Sequence, residues 1–329
     1  MKVCFFARVP DKGKLHDVEF YRQDINILRD LGFEVHLATR WSEIRLDVDF
    51  HYIWWWQWAF LPMLKSAIRR RPVIVTGALD HRSYLGRPFW ERELIRYGLN
   101  HAARNLFISQ FEFDQVTRFL AVPRSQCVRL AVDTETYRCD NRQREDFAFT
   151  VAWLNGPNAI RKCVPEIIRA IPLIRAKHPA MRFVIAGEKG TAYPILSEMA
   201  KDLGLGDSLE FAGLISLEQK IDLMQRCKVY VSPSRHEGFG LAILEAMSCG
   251  APVVSSPVGA VSEVVGDAGL LVEGTSPEAV ASAVNRYLTD DKLRESMSAG
   301  GRARAEKLFS YSRRKSEIET IIHDVLAKS

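Results

Sequence analysis

The chain has 329 residues, more than a single core usually supports, so two domains are the starting expectation. With 47% hydrophobic and 26% charged residues it has the balance of a soluble globular protein, and a net charge of +5 over this length does not call for a nucleic-acid partner. No apolar run reaches the ~18 residues of a transmembrane helix, and six scattered cysteines without Cys-x-x-Cys or metal-ligand spacing argue for reduced thiols in a cytoplasmic protein rather than a disulfide frame or a metal site.

The opening MKVCFFARVP runs straight into a strand, residues 3–8, and lacks a signal-peptide cleavage pattern. A polar loop, 10–17, leads to a helix over 18–31 whose apolar positions are Phe20, Ile25, Ile27, Leu28 and Leu31, with Gly32 as its stop. Strands over 33–39, 51–56 and 73–75 follow, and this alternation with helices argues an α/β domain with a parallel sheet covered on both faces. The run YIWWWQWAF, 52–60, with Lys65, Arg69, Arg70 and Arg71 after it, has two readings. Interfacial aromatics beside a basic cluster would dock segment 52–71 peripherally on an anionic membrane surface. A doubly buried strand leading into a helix with a basic, solvated end is favoured, because aromatic runs are ordinary in parallel strands. A helix around 88–103, a strand over 105–108 and a Ser-led helix over 109–120 complete this half. The charged segment CDNRQRED, 139–146, is the best linker, giving domains of 1–146 and 147–310.

The second half opens at Phe147 with the strand AFTVAWL, 148–154, then a strand over 182–186 closed by Gly187-Glu188-Lys189-Gly190, and a strand over 209–211. Ser216 caps a helix to Arg226, with Glu218 in its first turn. Next comes the stretch around which the chain is organised. Val229, Tyr230 and Val231 form a buried strand, followed by a Ser/Pro turn, Glu237, a Gly-Phe-Gly bend and a helix starting near Phe239 that carries Glu245. Ligands of open α/β sheets bind at the carboxyl ends of strands, where Glu237 falls, and Gly238 and Gly240 let backbone N–H groups approach a ligand closely. The helix start adds unpaired donors and the positive end of a dipole, an anion site suited to phosphate. At ~1.5 Å per residue, Glu245 lies about one and a half turns further in. Two acceptor-only carboxylates flanking an anion site suit sugar hydroxyls. The plainer alternative, a solvated loop acid and a helix-surface acid, leaves the Gly-Phe-Gly insert without a purpose. Strands over 252–255 and 270–272 and further helices end the chain.

The segment PSRHEGFGLAILEAMSCGAPVVSSPVGAVSEVVGDAGLLV, with Glu245 eight positions after Glu237, closely resembles the signature of the retaining glycosyltransferases of family 4, which have the GT-B fold. The resemblance is dense from about 151 to 272 and thin before 147. It implies two Rossmann-like, doubly wound parallel-sheet domains facing a cleft, with a final helix, 311–329, crossing back onto the first. It implies a metal-independent, retaining hexosyltransferase with no further cofactor, moving a sugar from a UDP- or GDP-sugar to a glycan, lipid-linked or small-molecule acceptor. The diphosphate would lie over the N–H groups of Gly238, Phe239, Gly240 and Leu241, with Glu245 accepting from the ribose and Glu237 from the sugar ring. Lys162, with Arg161, would neutralise the leaving diphosphate. Gly187 would face the same edge, and Leu214 would lie where the family packs the base.

This sequence departs from the family pattern in four places. Ala152-Trp153 stand where Gly-Arg is usual, with Asn155 a neutral donor in the arginine's stead; Leu130-Ala131 replace Asn-Gly; and the loop after the first strand offers the donor phosphates only Gly13, between Lys12 and Lys14. The histidine usual after a Val-Thr pair is displaced in VTGALDHRS, 75–83, so Asp80 and His81 become the acceptor-side candidates, with surface loop residues as the alternative and His16 a weaker rival. A sugar-nucleotide epimerase or phosphorylase on the same scaffold, or a catalytically silent nucleotide-sugar-binding subunit, are the rival functions. A dinucleotide-dependent oxidoreductase is disfavoured, since no Gly-x-Gly-x-x-Gly follows the first strand.

Overall fold

The structure, a computed structural model, describes residues 1–140 and 142–328. Asn141 of the expected linker and Ser329 at the end of the expected final helix lie outside the described residues. The chain forms two compact units, Met1–Ala131 with Tyr311–Ser329, and Val132–Ser310.

In the first unit the strands are β1 (Lys2–Phe6), β2 (Glu34–Ala38), β3 (Phe50–Trp54), β4 (Val73–Gly77), β5 (Arg104–Phe107) and β6 (Ser125–Cys127), in the order β2-β1-β3-β4-β5-β6 with every pairing parallel. β3 is buried along its whole length, because a central strand of a covered sheet has no solvent face. Tyr52, Trp54 and Trp56 are interior; Trp54 Nε1 and the Tyr52 hydroxyl donate to Asp24, and Trp56 Nε1 donates to Asn105. These three aromatics are therefore core, and what the 52–71 segment leaves in solvent is Leu61, Leu64, Ala67, Ile68 and the arginines Arg69, Arg70 and Arg71. The polar loop expected over 10–17 contains a short helix, Gly13–Asp17, held by the buried Leu15. β6 has no sequence counterpart: Ser-Gln-Cys is a half-buried edge strand without a hydrophobic run.

Helix Tyr311–Leu326 belongs to this first unit. Its Arg314 is 1% exposed; Nε and Nη2 donate to Asp24 at 3.0 and 2.7 Å, and Nη1 donates to the carbonyls of Val128 and Arg129. One guanidinium thus ties the last helix to helix Glu19–Asp30, through Asp24 to β3, and to the segment after β6.

The second unit carries β7 (Glu145–Val151), β8 (Arg182–Ala186), β9 (Leu209–Gly213), β10 (Cys227–Ser232), β11 (Val253–Ser255) and β12 (Leu270–Leu271). Their order, β12-β11-β10-β7-β8-β9, all parallel, is the doubly wound Rossmann order, which reverses between β7 and β10. The loops leaving the carboxyl ends of those two strands border the switch point, where such sheets bind ligands.

The division falls at Ala131/Val132, not at 146/147. Residues 132–140 and 142–144 are packed into the second unit: Val132 N donates to Phe309 O, Arg144 donates to the carbonyls of Met224, Gln225 and Cys227, and Tyr137 reaches Glu245. Of the charges that mark a linker in sequence, Arg144 is spent on main-chain carbonyls, which a guanidinium with five donors can satisfy, while Arg142 pairs with Asp140 and Asp222.

Candidate functional site

At the switch point the β7 loop leads into a short helix, Gly156–Arg161. Asn155 caps it, accepting from Asn158 N at 3.0 Å, with Pro157 in the first turn. The Asn155 side chain, expected as a neutral donor, thus spends its amide oxygen on a helix cap. The helix stops at Lys162, and Cys163, at φ 52°, turns the chain into helix Val164–Arg175. This break brings Arg161 and Lys162 to the β10 loop.

Glu237 meets them there. Lys162 Nζ lies 2.5 Å and Arg161 Nη1 3.2 Å from the same carboxylate oxygen, with the Lys162 and Glu237 side chains 12% and 14% exposed. Arg161 also donates to His236 O and Asn158 Oδ1, and its own carbonyl accepts from Arg235 N, so the guanidinium is held from several sides. Burial pushes the Glu237 carboxyl up, but the Lys162 ammonium, and after it the Arg161 guanidinium, more than offset this and hold it below the ordinary carboxylate range. Glu237 is thus a hydrogen-bond acceptor at neutral pH and not a proton donor. The loop itself is shaped by Gly259, missed in the sequence: at φ 57° it sits so close that a Cβ would fall 1.8 Å from Glu237 O, while Ala260 N donates to Gly238 O. Only the lone glycine of the 257–263 loop signals it.

The helix expected from about Phe239 is Leu241–Ser248. Phe239 is 4% exposed, edge-on to Phe309, and Gly240 takes φ 91° as an N-cap without a side-chain cap bond. Phe239 therefore offers its backbone and not its ring. A Cβ at Gly238 would meet open space, and the N–H groups of Leu241 and Ala242 at the helix start have no intrahelical acceptor. Gly187, at φ 148°, is required for packing: a Cβ there would fall 2.0 Å from Ala152 O, and its N–H donates to Gly213 O.

Glu245 sits about one turn into the helix. It is neither exposed nor a helix-surface charge: it is 5% exposed, Oε1 accepts from the Tyr137 hydroxyl at 2.9 Å, and Oε2 pairs with Lys220 Nζ at 3.0 Å. No periodicity connects residues 137, 220 and 245, so sequence gave no sign of this cluster. Leu214, just beyond β9, is 75% exposed, and Trp153, where the expected arginine is missing, is 60% exposed.

The remaining candidates belong to the first unit. Asp80 caps the short helix His81–Leu85, accepting from Ser83 N at 2.9 Å, and the exposed His81 ring lies edge-on to Phe119 at 4.9 Å. Gly13 opens the short helix Gly13–Asp17, and His16 is exposed on it. Among the described residues no group of three or more His, Cys, Asp or Glu side chains has the arrangement of a metal site, and no helix is long and apolar enough to cross a membrane.

The family model "Glycosyl transferases group 1" matches residues 158–304, the part of the chain that holds Arg161, Lys162, Glu237 and Glu245. The alpha-D-kanosaminyltransferase of Streptomyces kanamyceticus is 30% identical over 262 residues, covering 73% of this chain and 67% of that protein. The chain belongs to the group 1 glycosyl transferases. This group 1 chain is also similar to the O-antigen chain mannosyltransferase B of Escherichia coli, 29% identical over 65% of this chain and 58% of the relative, and to the D-inositol 3-phosphate glycosyltransferase of Acidothermus cellulolyticus, 32% identical over 53% and 39%. It thus spans less than two thirds of the length of those two relatives. Its backbone is similar to that of Anabaena HepE, crystallised with UDP, at TM-score 0.81 with 17% identity over 98% of this chain and 100% of the other. Sucrose-phosphate synthase from Thermosynechococcus elongatus matches at 0.78 with 17% identity over 100% of both chains. At this identity the likeness shows the fold, and the group 1 chain has the GT-B fold with its two doubly wound sheets.

Proposed function

We propose that this chain is a retaining glycosyltransferase of family 4 type, taking its sugar from a UDP- or GDP-sugar and passing it to an acceptor hydroxyl. The observation that carries the reading is the Glu237–Lys162–Arg161 cluster at the carboxyl end of β10, beside a helix start whose N–H groups are uncapped. The diphosphate lies over Gly238, Phe239, Gly240 and Leu241 N–H groups. Lys162 has three donors and Arg161 five, so both keep N–H groups for phosphate oxygens beyond those given to Glu237. Glu237 accepts from a sugar hydroxyl and Glu245 from the ribose. As the bond between the anomeric carbon and the β-phosphate oxygen breaks, negative charge grows on that oxygen, and the two cations with the helix start stabilise it. The acceptor oxygen bonds to the same face, and its proton passes to the departing diphosphate. The related proteins named above are titled as glycosyltransferases of several sugars, and HepE as a UDP complex, which supports the donor class without choosing the sugar.

Because fixed cations carry the leaving-group charge, a divalent ion is not required in this scheme. Incubation with a panel of UDP- and GDP-sugars in EDTA is expected to release nucleoside diphosphate from one of them, with the product anomer matching the donor. A silent nucleotide-sugar-binding subunit is the second reading, favoured by Asp80 acting as a helix cap and by Trp153 in place of an arginine. Binding without release, with and without added Mg²⁺ or Mn²⁺ and with a range of acceptors, would establish it instead.

A further inference from the structure

Glu245 is held by two side chains to which no role in this site has been given. Tyr137 is 2% exposed, and its carbonyl is fixed by Ser248 Oγ at 2.6 Å and Arg302 Nη1 at 2.8 Å. Ser248 lies three residues beyond Glu245 on the same helix, so the phenol is anchored to the element it serves. Lys220 is the fourth residue of helix Leu217–Arg226, which leaves the carboxyl end of β9, so its ammonium approaches from the same edge of the sheet as the start of helix Leu241–Ser248. That ammonium lies 5.0 Å from the Tyr137 ring centroid as well as 3.0 Å from Glu245, so the three groups are in mutual contact.

A carboxylate offers about four lone-pair sites, two on each oxygen. Tyr137 takes one on Oε1 and Lys220 one on Oε2, which leaves one on each oxygen. Two acceptor sites on two oxygens of one rigid group match the two donors of a vicinal diol. We infer that Lys220 and Tyr137 are positioning residues that orient Glu245 as a paired acceptor for the 2′- and 3′-hydroxyls of the nucleotide ribose, making the site selective for ribonucleotides over 2′-deoxyribonucleotides. This rests on the reading that Glu245 faces the ribose. Lys220 and Tyr137 act through Glu245 and touch no reacting atom, so their loss alters donor affinity and leaves kcat nearly untouched.

The test is calorimetric titration of the full chain with UDP, GDP and their 2′-deoxy counterparts, for the wild type and the variants Lys220→Met, Tyr137→Phe and Glu245→Gln. Expected is a wild type that prefers the ribonucleotide by about tenfold or more, the scale of a hydrogen bond to a charged group. Each variant should lose most of that preference, weakening ribonucleotide binding and sparing the 2′-deoxy form. A general packing defect would weaken both alike and leave the ratio unchanged. Tyr137→Phe removes a single oxygen and keeps the test available if Lys220→Met does not fold. An unchanged ratio in Lys220→Met and Tyr137→Phe alongside a lost one in Glu245→Gln overturns the inference and spares the ribose reading. No preference in the wild type, or one that Glu245→Gln retains, overturns both.

Discussion

Replacing Lys162 by methionine is expected to lower turnover, followed as nucleoside diphosphate release from the donor the wild type uses, by about 10²–10³-fold, the range for losing one preorganised donor to developing charge. The donor KM should move far less, since the ammonium's contribution grows as the diphosphate departs. Methionine is one heavy atom shorter than lysine, so in a position only 12% exposed it keeps most of the packed stem and loses chiefly the ammonium. It does leave Glu237 with Arg161 as its remaining cationic partner among the described residues, at 3.2 Å. Arginine in place of Lys162 is not a conservative repair, because a planar fork cannot occupy the space of a point charge 2.5 Å from the acid. Turnover within a few-fold of wild type in Lys162→Met would remove the lysine from the chemistry.

The second large effect is on stability. Arg314→Met should destabilise the first unit by about 3–5 kcal/mol, because it strips the countercharge from a carboxylate that is 0% exposed. It also leaves the carbonyls of Val128 and Arg129 without the donor they have now. Asp24 would keep only the Tyr52 and Trp54 donors, both neutral. Urea unfolding followed by circular dichroism measures this, and the double variant Asp24→Asn, Arg314→Met should recover part of the loss, since removing both charges together leaves no unpaired ion. A loss under about 1 kcal/mol would mean that helix Tyr311–Leu326 contributes little through this pair.

The parts of this molecule that sequence made legible are those where one physical signal dominates. β8 matches its predicted limits because FVIA, after the exposed Arg182, is a continuous apolar run closed by Gly187, which has no room for a side chain. Glu237 and Glu245 stand out in sequence because they sit in a dense motif, and Arg161 and Lys162 because of their place after β7; the structure brings Arg161, Lys162 and Glu237 together. The helix start was misplaced by two residues because glycine reads as a bend in sequence, whereas here Phe239 spends its side chain on Phe309 and only Gly240 makes the turn. The domain boundary was misplaced because charge was taken for solvation, while Arg144 is consumed by main-chain acceptors. Tyr137 and Lys220 lay beyond reach for another reason: their meeting with Glu245 depends on how three separated segments pack, and packing leaves no local pattern. The acceptor side is faint for the same cause, since Asp80 and His81 are explained by a helix cap and a ring contact with Phe119.

The proposed chemistry requires a diphosphate at the start of helix Leu241–Ser248, between the loops after β7 and β10. A crystal structure of the full chain soaked with the nucleoside diphosphate that its donor releases tests this directly. The predicted result has the phosphates within hydrogen-bond distance of the Gly240 and Leu241 N–H groups and of Lys162 Nζ, with the ribose diol at Glu245. A nucleotide bound elsewhere on the chain, with Lys162 and Glu237 still paired as they are now, would contradict it.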